Sequence, residues 1–237
     1  MKKLLLTLLM MTGVSAAQAQ VTGNLGLTTD YRFRGISQTQ NGLAVQGGVD
    51  YAHASGFYVG NWNSSVSSQL FNGAAGVESD LYAGFKTEVI KGVTLDVGSM
   101  NYLYSKASNP SGPSFNTNEL YAGVTYGPVT GKISYSLSNY FGLDNSDGTV
   151  YYQADVNYPL AKDIVGNFHI GRTDVKNHST LDYTDIKLGA TYNLSGWMIG
   201  GHFYTNRNKG SNFNAYTTVS GERLYKDTFV ISVAKTF

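Results

Sequence analysis

The sequence predicts an all-β protein: a transmembrane antiparallel up-and-down β-barrel of about twelve strands, preceded by a cleaved signal peptide. Three observations predict it. Segments of alternating polar and apolar residues recur along the chain, many longer than the five or six residues usual for a soluble strand. Short turns alternate with longer connections, as in outer-membrane barrels. The chain also stops on Phe237, in phase with Phe229, Ile231 and Val233 of its last alternating segment. Only a closed barrel lets strands satisfy every backbone group in lipid, and no later segment is apolar enough to cross as a helix.

Residues 1–19 read as the signal peptide, with Lys2 and Lys3 ahead of an apolar run from Leu4 to Met11 and a small-x-small site at Ala17-Gln18-Ala19. The barrel is then expected over 20–237. Loss of Lys2 and Lys3 leaves fifteen basic residues against sixteen acidic ones. That balance argues against nucleic acid as a partner. There is no cysteine, so neither a disulfide framework nor a thiolate site exists.

The first strand is expected from Val21 to Gly35. Val21, Leu25, Leu27, Tyr31 and Phe33 fall on one face, Asn24, Asp30, Arg32 and Arg34 on the other. Ile36 to Gly42 reads as a polar loop. Further strands are expected at 43–51, 57–65, 80–89, 93–104 and from Glu119, where Glu-Leu-Tyr-Ala-Gly-Val repeats Asp80-Leu-Tyr-Ala-Gly-Phe85. Such self-similarity means an array of like elements rather than separate domains. Strands at 132–141, 149–158, 164–173, 181–192, 197–207 and 224–237 complete the set. Asp144 to Gly148 lacks the spacing of a calcium loop and reads as a turn. Short turns at 53–56, 90–92, 127–131, 159–163 and 193–196 then belong to the periplasmic side, with both termini, and the longer connections to the outside of the cell outer membrane.

Three stretches carry a family likeness. Thr29-Asp30-Tyr31-Arg32-Phe33-Arg34-Gly35-Ile36-Ser37-Gln38-Thr39, then Ala44-Val45-Gln46-Gly47-Gly48 and Ser55-Gly56-Phe57-Tyr58-Val59-Gly60, resemble the TorF-like family of bacterial outer-membrane porins. The likeness extends through the Leu-Tyr-Ala-Gly strands to the terminal Phe. It implies an outer-membrane location and a pore, and leaves the transported solute undefined. The class also implies that Phe237 is read by the barrel-insertion machinery.

No catalytic signature is present, and no cofactor or metal set is expected. Strand parity places His169, Asp185, Lys187 and His202 on the inner face. Counted from the short-turn end, they form a row His169–Lys187–His202 beneath Asp185. One reading is a charged constriction whose sign shifts as the histidines titrate. Inward side chains that merely satisfy one another are the plainer reading, and a metal or an esterase-like site the remaining ones. Arg32 and Arg34 fall near the outer mouth, to attract anions or to pair with Asp30 and Asp50. Small inward residues such as Ser134, Ser136, Gly171 and Gly189 suggest an open bore.

The function expected is therefore a monomeric, porin-like channel for passive diffusion of small hydrophilic solutes or ions, with the lipid bilayer as its other partner. A closed structural or surface-interaction barrel is the alternative, and an outer-membrane hydrolase a more distant one. Barrels of about eight strands are filled by side chains and those of sixteen leave a channel, so twelve strands decide neither way.

Overall fold

A computed structural model of the chain describes residues 19–71, 76–104, 114–218 and 220–237. The expected signal peptide up to residue 18 and most of the 105–117 loop lie outside the described residues.

Twelve strands close into one antiparallel barrel: β1 (Gln20–Thr28), β4 (Ala44–Ala52), β5 (Phe57–Ser65), β6 (Val77–Ile90), β7 (Val93–Tyr104), β8 (Thr117–Tyr126), β9 (Val129–Ser136), β10 (Val150–Ala161), β11 (Ile164–Asp174), β12 (Tyr183–Leu194), β13 (Trp197–Arg207) and β14 (Thr228–Thr236). Each pairs with its chain neighbours, and β1 closes the ring against β14 and β4. The remaining pair, β2 (Arg32–Phe33) and β3 (Ile36–Ser37), forms a separate hairpin inside the ring.

Alternation sorts the side chains as the pleat requires. Leu25, Leu27, Val45, Leu81, Leu120, Leu188 and Phe229 stand exposed on the outer surface, a continuous apolar face suited to lipid. Tyr51, Tyr126, Tyr158, Tyr192, Trp197 and Phe237 encircle the barrel at its short-turn end. Aromatic rings with a polar edge favour such an interface.

The interior departs from the sequence expectation in two ways. Many tyrosines lie inside, and they fill the space beside the inward glycines that suggest an open bore. A side chain at Gly171 would run into the Tyr151 ring, at Gly98 into Tyr121, and at Gly84 into Tyr58. Gly189 is covered by backbone of Gly201 and by His202. These glycines therefore make room for neighbouring rings, and the opening they suggest in the sequence is occupied.

The second departure is the first strand. It does not run to Gly35; β1 ends at Thr28 and the chain turns into the bore. Arg34 and Gly35 then make a two-residue turn with φ of 47° and 78°, the mirror-image geometry whose twist suits a tight hairpin. Tyr31 and Phe33, assigned to the lipid face by parity, are packed inside instead. The 36–42 segment, read as a polar loop, supplies the return strand. Likewise β14 begins at Thr228 rather than 224: Leu224 and Tyr225 are buried against Ile36, Phe213 and Tyr183.

Candidate functional site

The long-loop half of the bore is filled by this hairpin, and its contacts reach walls on opposite sides. Asp30 organises the hairpin itself. Its carboxylate accepts from Arg32 Nε at 2.7 Å, Ser37 Oγ at 2.6 Å and Thr39 Oγ1 at 3.3 Å. Arg32 spends its other donors on Gly35 O, Lys226 O and Asn41 Oδ1, and its side chain has no exposed surface. Arg32 is thus a framework residue that ties the hairpin to the 208–227 loop, paired with Asp30 as one of the two sequence readings has it.

Arg34 behaves differently. Its guanidinium reaches across to β8 and donates twice to Glu119, at 3.0 and 2.6 Å, with a third bond to the Tyr140 hydroxyl at 3.1 Å. Its charge lies 4.1 Å from the Tyr151 ring centroid and 4.8 Å from that of Phe33. Pair and rings form a closed seat: the Arg34 and Glu119 side chains are only 6% and 2% exposed. The partner is Glu119, not the Asp30 or Asp50 that sequence proximity offers; Asp50 instead accepts from Tyr82.

On the adjoining wall Tyr31 donates to Glu78 at 2.8 Å and Tyr104 donates to its other oxygen at 2.9 Å. Asp80 lies next to it along β6, with Oδ1 buried and without a hydrogen-bond partner among the described residues. Gly35, at the tip, lies against Asp185 and Asn206 on β12 and β13, where a side chain would collide with both. The hairpin thus meets β6, β8, β12 and β13, and Phe33 and Tyr31 pack edge-on to Tyr102 and Trp62.

Loops close over it from the long-loop end. Ser37 N donates to Leu224 O at 2.9 Å and Ser67 N to Gln38 O at 2.8 Å. Within these loops burial pushes the Asp182 carboxyl up, although the Val175 amide and Arg172 pull it down. Asp227 goes the other way. Burial, the largest single effect, would raise it, but the bonds from Thr205 (2.6 Å) and Arg207 with the charges of Arg207 and Lys209 together hold it below its ordinary value.

Below the hairpin, toward the short turns, the wall is charged and partly exposed. His169 is set between Asp155 (2.7 Å from Nδ1) and Asp185 (2.9 Å from Nε2), with the Tyr151 hydroxyl 2.9 Å from Nε2 and 3.0 Å from Asp185. Lys187 stands directly opposite His169 in the β11–β12 register. It makes no ion pair or hydrogen bond among the described residues. His202, by contrast, pairs across from Gly189, two residues nearer the short turns than Lys187, and meets the Asn167 Oδ1 at 3.0 Å. The structure therefore brings His169, Asp185 and Lys187 together and displaces His202 from their row, because inclined strands carry a register stagger that residue counting omits. Neither histidine meets a serine hydroxyl within hydrogen-bond distance among the described residues.

Glu78, Tyr140 and Tyr151 were not singled out in the sequence, and Glu119 stood there only as an inward residue opening a repeated strand. Their parity is readable, but nothing local indicates that residues near position 34 return into the bore to meet them.

With this geometry established, similarity to known proteins can be placed. A family model described as a bacterial protein of unknown function, Gcw_chp, matches residues 13–237. The chain belongs to the Gcw_chp family. Comparison with curated protein sequences finds no match. Among solved structures, the KdgM porin aligns with a TM-score of 0.58 at 9% identity, covering 91% of this chain and 99% of the porin. The NanC porin gives the same score, identity and coverages. A KdgM porin in complex with disordered oligogalacturonate gives 0.54 at 7% identity, over 93% and 99% of the two chains. At such identities the likeness is one of fold: a barrel like those of outer-membrane porins.

Proposed function

We propose that this chain is an outer-membrane channel for passive diffusion of small hydrophilic solutes, and that the conformation described is its closed state. Short turns and both termini face the periplasm in this reading, the mature barrel follows a signal peptide ending at residue 19, and Phe237 addresses the insertion machinery. The TorF-like resemblance of residues 29–60 accords with it.

The observation that carries the proposal is how the hairpin is held. Its backbone bonds run to loops, at Leu224 and Ser67, and its hold on the barrel wall is made by side chains. It can leave with the loops without breaking a barrel ladder bond. A bore walled by Asp, Glu, Lys, His and Tyr side chains would then be left, which suits water and hydrophilic solutes. Lys187, His169 and Asp185 form a second, inner constriction in this scheme, and Asp155 extends it.

The burial of the Arg34–Glu119 pair favours one competing reading, a permanently closed barrel acting through its outer loops. Single-channel recording separates the two. The refolded protein without residues 1–19 is compared in planar bilayers with a variant in which 30–41 is replaced by a short Gly-Ser linker. Brief openings in the former and a steady conductance in the latter are expected. Silence from both, with heat-modifiable migration proving that both barrels are folded, would establish the closed barrel instead.

A further inference from the structure

The Arg34 seat has the make-up of a ligand site. A carboxylate receives a guanidinium in the two-bond fork geometry, a phenol oxygen takes a third bond, and the faces of Tyr151 and Phe33 cover the charge. Fork pairing and aromatic cover are the two devices by which proteins bind guanidinium and ammonium groups. Ordinary framework arginines do not need this: Arg32, two residues earlier, is satisfied by the hairpin's own carboxylate and carbonyls.

The backbone at Arg34 adds a second sign. Its φ of 47° is a conformation that costs a non-glycine residue energy and that glycine or asparagine would adopt more cheaply. Strain of this kind persists where surrounding contacts impose it. Here the two-residue turn imposes it, and an arginine stands at that position with its side chain on Glu119.

The wall at this level is one-signed. Glu78 and Asp80 on β6 and Glu119 on β8 point inward, Asp185 on β12 is taken up by His169, and among the described strand residues no lysine or arginine joins them there. The inward lysines Lys86, Lys132 and Lys187 lie nearer the short turns. Asp80 Oδ1 is buried at the same level without a hydrogen-bond partner among the described residues. With the hairpin absent, this level of the bore would keep Glu78, Asp80 and Glu119 without a lysine or arginine beside them, an acidic excess of the kind that selects cations.

We infer that the seat formed by Glu119, Tyr140 and Tyr151 binds small organic cations with a guanidinium or primary ammonium head, and that Arg34 occupies it as a tethered stand-in for the solute. A cation arriving from outside competes with Arg34 for Glu119, so the solute that fits the pore is also the one that releases the hairpin. Anionic solutes are disfavoured at this ring. The transport half of this inference rests on the channel reading; the binding half does not.

Two measurements test it. The first is thermal unfolding of the detergent-folded barrel with Arg34→Ala, titrated with methylguanidinium in the millimolar range. A ligand that binds only the folded state raises its midpoint. A saturable rise is expected for Arg34→Ala and none for Arg34→Ala/Glu119→Gln. An equal response of the two variants overturns the site. The second is the reversal potential of the wild-type and hairpin-shortened proteins in a potassium chloride gradient. Cation preference is expected, reduced by Glu119→Gln. A conducting pore that prefers chloride, or shows no preference, overturns the inference and leaves the channel standing. A folded barrel that binds methylguanidinium but never conducts overturns the channel and leaves the site. Should Arg34→Ala fail to fold, the wild-type reversal potential decides.

Discussion

Substituting Glu119→Gln tests the latch directly, because it removes a charge while keeping shape. The carboxylate takes two bonds from Arg34 at 3.0 and 2.6 Å, with both partners almost fully buried. The glutamine can accept one of these and must turn an amine toward a guanidinium, so a buried cation is left uncompensated. Breaking a buried pair from one side costs about 3–5 kcal/mol. At ~1.4 kcal/mol per tenfold in an equilibrium, the hairpin's docked-to-free ratio should fall roughly 10²- to 10³-fold or more. In planar bilayers this reads as a rise in open probability of that order. The paired change Arg34→Met/Glu119→Leu provides the control. Replacing both charges by apolar groups of similar size is often close to neutral, so the double variant should return toward the closed state. An open probability unchanged by Glu119→Gln in a folded, inserted barrel would refute the latch. So would a double variant more open than the single one.

Four further outcomes follow from particular contacts. Gly171→Ala places a methyl where the Tyr151 ring lies, and overpacking of this kind costs about 1–3 kcal/mol; a lower thermal midpoint is expected, and an unchanged one would mean the ring is free to move. Leu188→Arg sets a charge on the outer face between Phe168 and Phe203, where burial in lipid costs about 2–4 kcal/mol, read as a lower urea midpoint in vesicles but not in detergent. Lys187→Gln removes the cation facing His169 below the hairpin; cation selectivity should increase in the hairpin-shortened pore, and no change would remove Lys187 from the conduction path. Asp227 is held below its ordinary value, so its bonds to Thr205 and Arg207 stabilise the 208–227 loop above the usual carboxylate range and are lost as pH falls through the lowered value. Amide exchange in that loop, corrected for intrinsic rates, should be slow at neutral pH and faster near pH 3 (below the ordinary Asp value of about 3.9), and a pH-independent rate would contradict the assignment.

The inner-face residues show where sequence reasoning was sufficient. His169, Asp185 and Lys187 were placed on one face by parity alone, and the structure has them adjoining, since a strand's alternation depends only on its own backbone. His202 was placed on the correct face at the wrong height. Its depth depends on the stagger accumulated between β12 and β13, which belongs to barrel closure and not to any single strand. Arg34 shows the opposite limit. Its alternation with Arg32 reads as a strand, and the small signals of a turn, Arg34-Gly35 flanked by Phe33 and Ile36, are outweighed locally by the long apolar run before them.

Strand alternation and turn spacing were enough to determine a twelve-stranded barrel with an apolar exterior, because each depends on neighbours a few residues away. Tertiary structure alone decided that Tyr31, Phe33 and Arg34 enter the bore. An aromatic residue after Thr28 is equally at home against lipid or against Trp62 and Tyr102. The choice is made by Glu119, which lies 85 residues further along the chain and reaches Arg34 only once β1 to β8 have curved into a closed wall. A buried arginine has no acceptable place without that carboxylate.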